Sequence, residues 1–102
     1  MLVQLTMFPT DKRGVSVSRD VARVIDIIDS SGLPYKLNAM STLIEGDWAA
    51  IMKLVNRCRL MLLRNHDRIY INMTIDDRRG SGKTITGKTA SIERKLGREV
   101  NK

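Results

Sequence analysis

The sequence has few of the residues that build metal and redox sites. Its 102 residues include one cysteine, one histidine, and four aromatic side chains, which are one Phe, one Trp and two Tyr. A single cysteine excludes an internal disulfide, and one histidine with one cysteine excludes the His and Cys clusters that hold zinc. We therefore expect a protein of a reducing compartment, the cytoplasm, with no metal and no required cofactor.

Long hydrophobic runs are also absent. No stretch approaches the ~18 apolar residues of a membrane-spanning helix, and the N-terminal MLVQLTMFPT lacks the basic and long apolar regions of a signal peptide. The hydrophobic fraction of 42% and the charged fraction of 28% are those of a globular protein. We expect no membrane association and one domain over residues 1–102.

Basic residues are unevenly distributed along the chain. The formal net charge is +7, but residues 1–77 carry 10 basic and 9 acidic side chains, whereas residues 78–102 carry 8 and 2. A basic protein suggests nucleic acid as a partner. Here the charge belongs to the last quarter, predicted to be a basic loop and a C-terminal helix, while the body of the domain is nearly neutral.

The hydrophobic pattern predicts a strand over residues 2–8 that ends at Pro9. A helix follows, with Ser16 or Ser18 as its cap and Gly32 as its stop. The segments 35–40 and 42–45 predict a tight β-hairpin, and the alternation over 68–75 predicts the last strand. The polar stretch 76–87 is expected to be a loop, and a weaker helix is expected from Lys88 to Leu96.

The second long helix is predicted to begin after a capping Asp47 and to bury one apolar stripe. The stripe consists of Trp48, Ile51, Val55, Cys58 and Leu62. The resulting order is β-α-β-β-α-β plus a C-terminal helix. This order predicts an α+β, ferredoxin-like fold: a four-stranded antiparallel sheet with helices on one face and an extra C-terminal helix.

The other face of the predicted sheet mixes polar and apolar side chains, so we expect a ligand or another subunit to cover it. Strand parity assigns to it Gln4, Thr6, Phe8, Asn38, Met40, Tyr70, Asn72 and Thr74.

Residues 82–89, GKTITGKT, match the phosphate-binding pattern G-x-x-x-x-G-K-[ST]. Six residues separate the preceding strand from the first glycine, and no later strand could bring an acidic residue to a magnesium ion. We interpret the segment as a flexible Gly/Lys/Thr loop rather than a nucleotide site.

Polar residues at strand and helix ends are the other candidates for a site. Glu45 ends one strand, Asp76 follows another, and Ser16 and Ser18 open the first helix, where free N–H groups favour an acceptor. The simpler interpretation is that the serines are caps and that Asp76 pairs with nearby arginines. No arrangement of nucleophile, base and oxyanion donor is visible, so we expect no enzyme.

Four motifs together resemble the small thiamine-binding protein family. They are S-V-S-x-x-V-A-x-V-I-x-I-I-x-x-S-G-L-x-Y-x-L over residues 16–37, M-x-T-x-I-E-G over 40–46, the I-D-D-R-R element that ends at Arg79, and K-x-x-S-I-E-x-K-L over 88–96. The similarity covers essentially the whole chain. The family usually reads P-M-G-T in the hairpin, where this chain has Ala39-Met40-Ser41-Thr42.

The resemblance implies a ferredoxin-like subunit that forms dimers or tetramers through its sheets and binds thiamine or hydroxymethylpyrimidine without turning it over. It also implies a ligand site near the subunit interface, in which Ser41 would narrow or reshape the pocket. The matching ligand-binding positions are Phe8, Pro9, Ser16, Val17, Ser18, Met40, Thr42, Glu45 and Asp76.

Two other functions remain open at this stage. One is a structural or regulatory subunit that only oligomerises. The other is a nucleic-acid-binding module that uses the basic C-terminal segment, although a sheet-face RNA binder needs stacking aromatic rings, and only Phe8 and Tyr70 could supply them.

Overall fold

A computed structural model describes residues 1–11, 17–79 and 85–102 of the chain. Four strands and three helices occur in these residues. In chain order they are β1 (Leu2–Pro9), α1 (Ser18–Ser30), β2 (Tyr35–Leu37), β3 (Thr42–Glu45), α2 (Trp48–Leu63), β4 (Ile69–Asp76) and α3 (Ile85–Leu96). The four-stranded antiparallel sheet has the order β2-β3-β1-β4. The predicted ferredoxin-like α+β fold with an additional C-terminal helix is confirmed.

The core lies between one face of the sheet and helices α1 and α2. Alternate residues of β1 point into it, and Val3 pairs with Ile44 of β3 and Ile75 of β4 in register. Burying one such aliphatic side chain stabilises the fold by about 1.5–3 kcal/mol. The buried apolar residues are Val3, Leu5, Met7, Val24, Ile28, Ile44, Ile51, Leu54, Val55, Cys58 and Leu62.

The face of the sheet opposite the core is the open face. Register places Gln4 beside Thr74, Thr6 beside Asn72, and Phe8 beside Tyr70 on it, as strand parity predicts. Asn38 and Met40, predicted on the same face, lie instead in the loop after β2, because β2 ends at Leu37 rather than residue 40. The hydrogen bond from the Asn38 N–H to the Ser41 carbonyl, 2.8 Å long, turns the chain there.

Helix ends agree with the sequence in part. The Asp47 carboxylate accepts the Ala50 N–H at 2.8 Å and caps α2 as predicted, and Gly32, with φ of 80°, follows the end of α1. The N-cap of α1 is Val17, whose side chain makes no capping hydrogen bond. Ser18 is therefore the first helical residue rather than the cap, and Ser16 lies outside the described residues.

Two predictions about side-chain burial and loop structure are wrong. Trp48 is 57% exposed, because it lies in the first turn of α2 on the side away from the core, and Leu54 is buried in the stripe instead. The predicted loop 76–87 contains the start of α3, since residues 85–87 are helical. The rest of the Gly/Lys/Thr segment, residues 82–84, lies outside the described part of the chain.

Candidate functional site

A cavity of about 380 Å³ lies between α1, β1 and the loop that joins β2 to β3. It exists because β3 pairs only with Leu2–Leu5 of β1. On the side of β1 that faces β3, the second half of β1 therefore has no neighbouring strand among the described residues. The apolar side of α1 forms the opposite wall. The lining residues are Leu5, Thr6, Met7, Val21, Val24, Ile25, Ile28, Leu37, Asn38, Ala39, Met40, Ser41 and Thr42.

Among residues 1–11, 17–79 and 85–102, the lining is mostly aliphatic, with four polar side chains and none that is charged. The polar residues Thr6, Asn38, Ser41 and Thr42 all lie on the sheet side and in the loop, whereas α1 contributes only Val and Ile. A cavity of this composition suits a flat, largely apolar ligand whose few polar atoms are oriented from one side.

Hydrogen bonds to β1 hold the loop in place over the cavity. The Thr6 hydroxyl donates to the Met40 carbonyl at 3.2 Å, and the Gln4 side-chain amide donates to the Ser41 hydroxyl at 3.0 Å. Met40 itself is 88% exposed. Met40 therefore places a flexible apolar side chain at the rim of the cavity, while hydrogen bonds hold the backbone of its loop.

The predicted site residues divide into four groups, and only one lines the cavity. Met40 and Thr42 belong to that lining. Phe8 lies on the open face, with its ring centroid 5.3 Å from that of Tyr70, and Pro9 ends β1 as a buried residue.

The third group lies at the start of α1, one turn before the cavity wall. Val17 caps the helix, and its carbonyl accepts the N–H of the cavity residue Val21 at 2.9 Å. Ser18 follows it as the first helical residue, and Ser16 lies outside the described residues.

Glu45 and Asp76 lie at the other end of the sheet, on either side of Leu2. Glu45 lies three residues after Thr42 along β3, a distance of about 10 Å. The Glu45 carboxylate accepts the Ile85 N–H at 3.1 Å. Asp76 pairs with Lys88 at 2.5 Å, and this contact holds the pKa of its carboxyl below the usual value. Within a single chain, both carboxylates thus bind residues in the first turn of α3 and do not line the cavity.

The contribution of α1 to the cavity was not predicted. The spacing of Val21, Val24, Ile25 and Ile28 indicates an apolar helix face but does not show that this face lines a cavity. One feature of the sequence could have indicated the cavity. The strand predicted over 2–8 is longer than its four-residue partner at 42–45, so part of the longer strand is left without that partner. Ser41, expected to reshape a pocket, does line the cavity, and its hydroxyl is bonded to Gln4.

A second polar cluster, the Asp11–His66–Asp20 cluster, also went unpredicted. The two ring nitrogens of buried His66 lie 2.9 Å from Asp11 Oδ1 and 3.1 Å from Asp20 Oδ1. Burial opposes the charged ring, but the hydrogen bonds to Asp20 and Asp11 outweigh it, so the pKa of His66 is raised. His66 lies shortly after the end of α2, and its two carboxylate partners, Asp20 and Asp11, are 46 and 55 residues away in sequence.

Neither a metal centre nor a membrane span is found in the parts of the chain that the structure describes. No group of three or more His, Cys, Asp and Glu side chains in residues 1–11, 17–79 and 85–102 is arranged to hold a metal ion. No helix within the same ranges is both long and apolar enough to cross a bilayer.

Comparison with known proteins identifies relatives over most of the chain. The family model described as thiamine-binding protein matches residues 3–93. A UPF0045 protein of Methanocaldococcus jannaschii is 30% identical over 92 residues, which cover 90% of this chain and 91% of that protein. A UPF0045 protein of Mycobacterium bovis is 36% identical over 84 residues, covering 81% and 82% respectively.

Solved structures have the same fold. The crystal structure of a hypothetical protein of Methanocaldococcus jannaschii superposes with a TM-score of 0.80 at 31% identity, covering 89% of this chain and 93% of that one. A Thermotoga maritima protein, described as a proposed thiamine biosynthesis/salvage protein, gives a TM-score of 0.78 at 26% identity, with coverage of 89% and 96%.

Proposed function

Because this chain belongs to the thiamine-binding protein family, we propose that it binds thiamine or its hydroxymethylpyrimidine fragment in the cavity between α1 and β1, without turning the ligand over. The observation that carries the proposal is the cavity itself. Its volume of about 380 Å³ and its combination of aliphatic walls with a few polar groups on one side suit a substituted heteroaromatic ring.

The aminopyrimidine is the part of thiamine that fits the interior. Burying a charge without a partner is costly, and none of the cavity-lining side chains in the described part of the chain is charged. The cationic thiazolium would therefore remain at the opening, beside Met40 and in contact with solvent. The neutral ring would lie against Val24 and Ile25, with its amino group and ring nitrogens toward Asn38 and Thr42.

We further propose that the protein is a cytoplasmic homo-oligomer, a dimer or tetramer that associates through its sheets. The open face exposes Tyr70, whose ring lies against that of Phe8. The radius of gyration is 15.4 Å, whereas a compact chain of this length has about 13 Å. A second copy would cover this apolar surface, and native mass spectrometry would report the number of chains and any retained ligand.

Calorimetry with a substituted loop residue tests the ligand site. Ala39 lines the cavity, so Ala39→Trp should fill it and weaken hydroxymethylpyrimidine binding by about tenfold or more, which corresponds to 1.4 kcal/mol. Ala49→Trp makes the same change at an exposed position in the first turn of α2 and should leave binding unchanged.

Three results would contradict the proposal. One is the absence of heat with either ligand, and another is equal binding by the two Trp variants. The third concerns the proposed lack of catalysis: NMR of thiamine incubated with the protein should show the ligand unaltered, and conversion that depends on the protein would establish an enzyme.

A further inference from the structure

The Asp11–His66–Asp20 cluster joins three separate segments of the chain. Asp11 follows the end of β1, Asp20 lies in the first turn of α1, and His66 lies in the connection between α2 and β4. The second oxygen of Asp11 also accepts the Asp67 N–H at 2.7 Å, and the Thr10 N–H donates to the Arg68 carbonyl at 3.0 Å. The end of β1 is thus bound to the start of β4, and His66 adds α1 to this junction.

Both contacts of the His66 ring require a proton on each nitrogen. An ionised carboxylate only accepts hydrogen bonds, and a neutral imidazole donates from only one of its two nitrogens. With carboxylates at 2.9 and 3.1 Å on its two sides, the ring satisfies both only as the imidazolium. Loss of one proton leaves a lone pair facing a carboxylate and removes the positive charge from between two negative ones.

The cluster lies next to the two main walls of the cavity. Asp20 directly precedes Val21, and Asp11 lies four residues after Met7; both Val21 and Met7 line the cavity. The middle of α1 packs on α2, where the Cys58 thiol lies 3.9 Å from the Val24 carbonyl. Releasing Asp20 would therefore free the first turn of α1 while the middle of the helix stays packed.

We propose that protonated His66 acts as a clamp that holds the first turn of α1 against the end of β1 and so keeps the cavity in its binding shape. Deprotonation opens the clamp and lowers ligand affinity. The effect on affinity rests on the proposed ligand-binding function, whereas the clamp itself does not. His66 is a positioning residue that does not line the cavity.

The charges around His66 determine the direction of the pH effect. Asp11 from the segment after β1 and Asp20 from α1 are the charged side chains that contact the ring within the described ranges, and Asp67 and Arg68 follow it in sequence. Because the pKa of folded His66 is raised above its ordinary value, the clamp is fully closed below that value. It opens as the pH rises through the raised pKa.

Proton NMR tests the clamp without any ligand. His66 is the only histidine, so its ring signals give one titration curve, and the Asp67 amide should shift with the same midpoint. Asp20→Asn keeps an oxygen acceptor but removes one charge, so it should lower the midpoint. Asp26→Asn, an exposed change on the same helix, should not. A wild-type midpoint at or below about 6.5, or identical midpoints in the two variants, would overturn the proposal.

Binding measurements test the link to the cavity. The affinity for hydroxymethylpyrimidine should fall by about fivefold or more between the pH at which NMR shows a charged ring and the pH at which it shows a neutral one. In Asp20→Asn the fall should move to lower pH with the ring titration, which separates it from titration of the ligand. A constant affinity with a normal ring titration would refute the coupling, whereas no binding at any pH would refute the proposed function alone.

Discussion

At the residue scale, the single cysteine and the single histidine show how opposite surroundings change a titratable group. Cys58 is fully buried among apolar neighbours on α2, and burial raises the pKa of its thiol to about 11. His66 is also buried, but two carboxylates face its ring, and its pKa is raised because they favour the charged form. Sequence position alone predicted the burial of Cys58, since it lies on the apolar stripe. It could not predict the partners of His66.

The thiol of Cys58 should be unreactive in the folded protein. The reactive species is the thiolate, and a pKa of about 11 instead of 9.0 leaves about a hundredfold less of it at neutral pH. Iodoacetamide labelling at pH 8, followed by mass spectrometry, should be slower by at least this factor in the native protein than in urea. Fast labelling of the native protein, with its circular dichroism unchanged, would contradict the buried position of Cys58.

At the scale of elements, local signals predicted the order of strands and helices, and tertiary contacts determined where several of them end. Asp47 and Gly32 mark helix ends because capping chemistry is local. The strand predicted to residue 40 ends at Leu37, because the loop bonds to Thr6 of β1 instead. Helix α3 begins at Ile85 rather than Lys88, and Glu45, which is distant in sequence, accepts the Ile85 N–H there.

The Asp47 cap should contribute measurably to stability. Its carboxylate accepts the Ala50 N–H at 2.8 Å, one of the N–H groups that a helix start leaves without a partner. Asp47→Ala should therefore lower the free energy of unfolding by about 1 kcal/mol, measured by urea denaturation. Asp77→Ala, at an exposed position after β4, provides the control and should change it by less than about 0.5 kcal/mol. Equal effects of the two substitutions would show that the cap contributes nothing specific.

At the scale of the whole molecule, the cavity follows from a mismatch between elements rather than from a motif. Strand β1 has eight residues and β3 has four, so the uncovered half of β1 and the apolar side of α1 enclose a space. The sequence therefore predicted Met40 and Thr42 through the family resemblance, but not the wall of α1. Glu45 and Asp76 were predicted to lie with them, yet the register of the sheet places the two carboxylates at its opposite end.

The stability of the whole molecule should be greatest in mildly acidic solution and fall on both sides. The Asp67 N–H lowers the pKa of Asp11, Lys88 lowers that of Asp76, and Lys102 lowers that of Glu93. These groups stabilise the fold above their ordinary values of 3.8 and 4.5, and the contribution is lost as the pH falls through the lowered values. His66 acts in the other direction: its contribution is complete below 6.5 and lost as the pH rises through its raised pKa.

The midpoint temperature of unfolding, measured by circular dichroism from pH 3 to pH 9, should therefore be highest between about pH 4.5 and 6.5. Asp20→Asn should flatten the alkaline decrease and keep the acid one, because it removes a partner of His66 but leaves Asp76 and Glu93 paired. Asp77→Asn should preserve both decreases, since this exposed carboxylate has no part in these pairs. A midpoint that is constant from pH 5 to pH 9 in the wild-type protein would mean that the charge on His66 does not stabilise the fold.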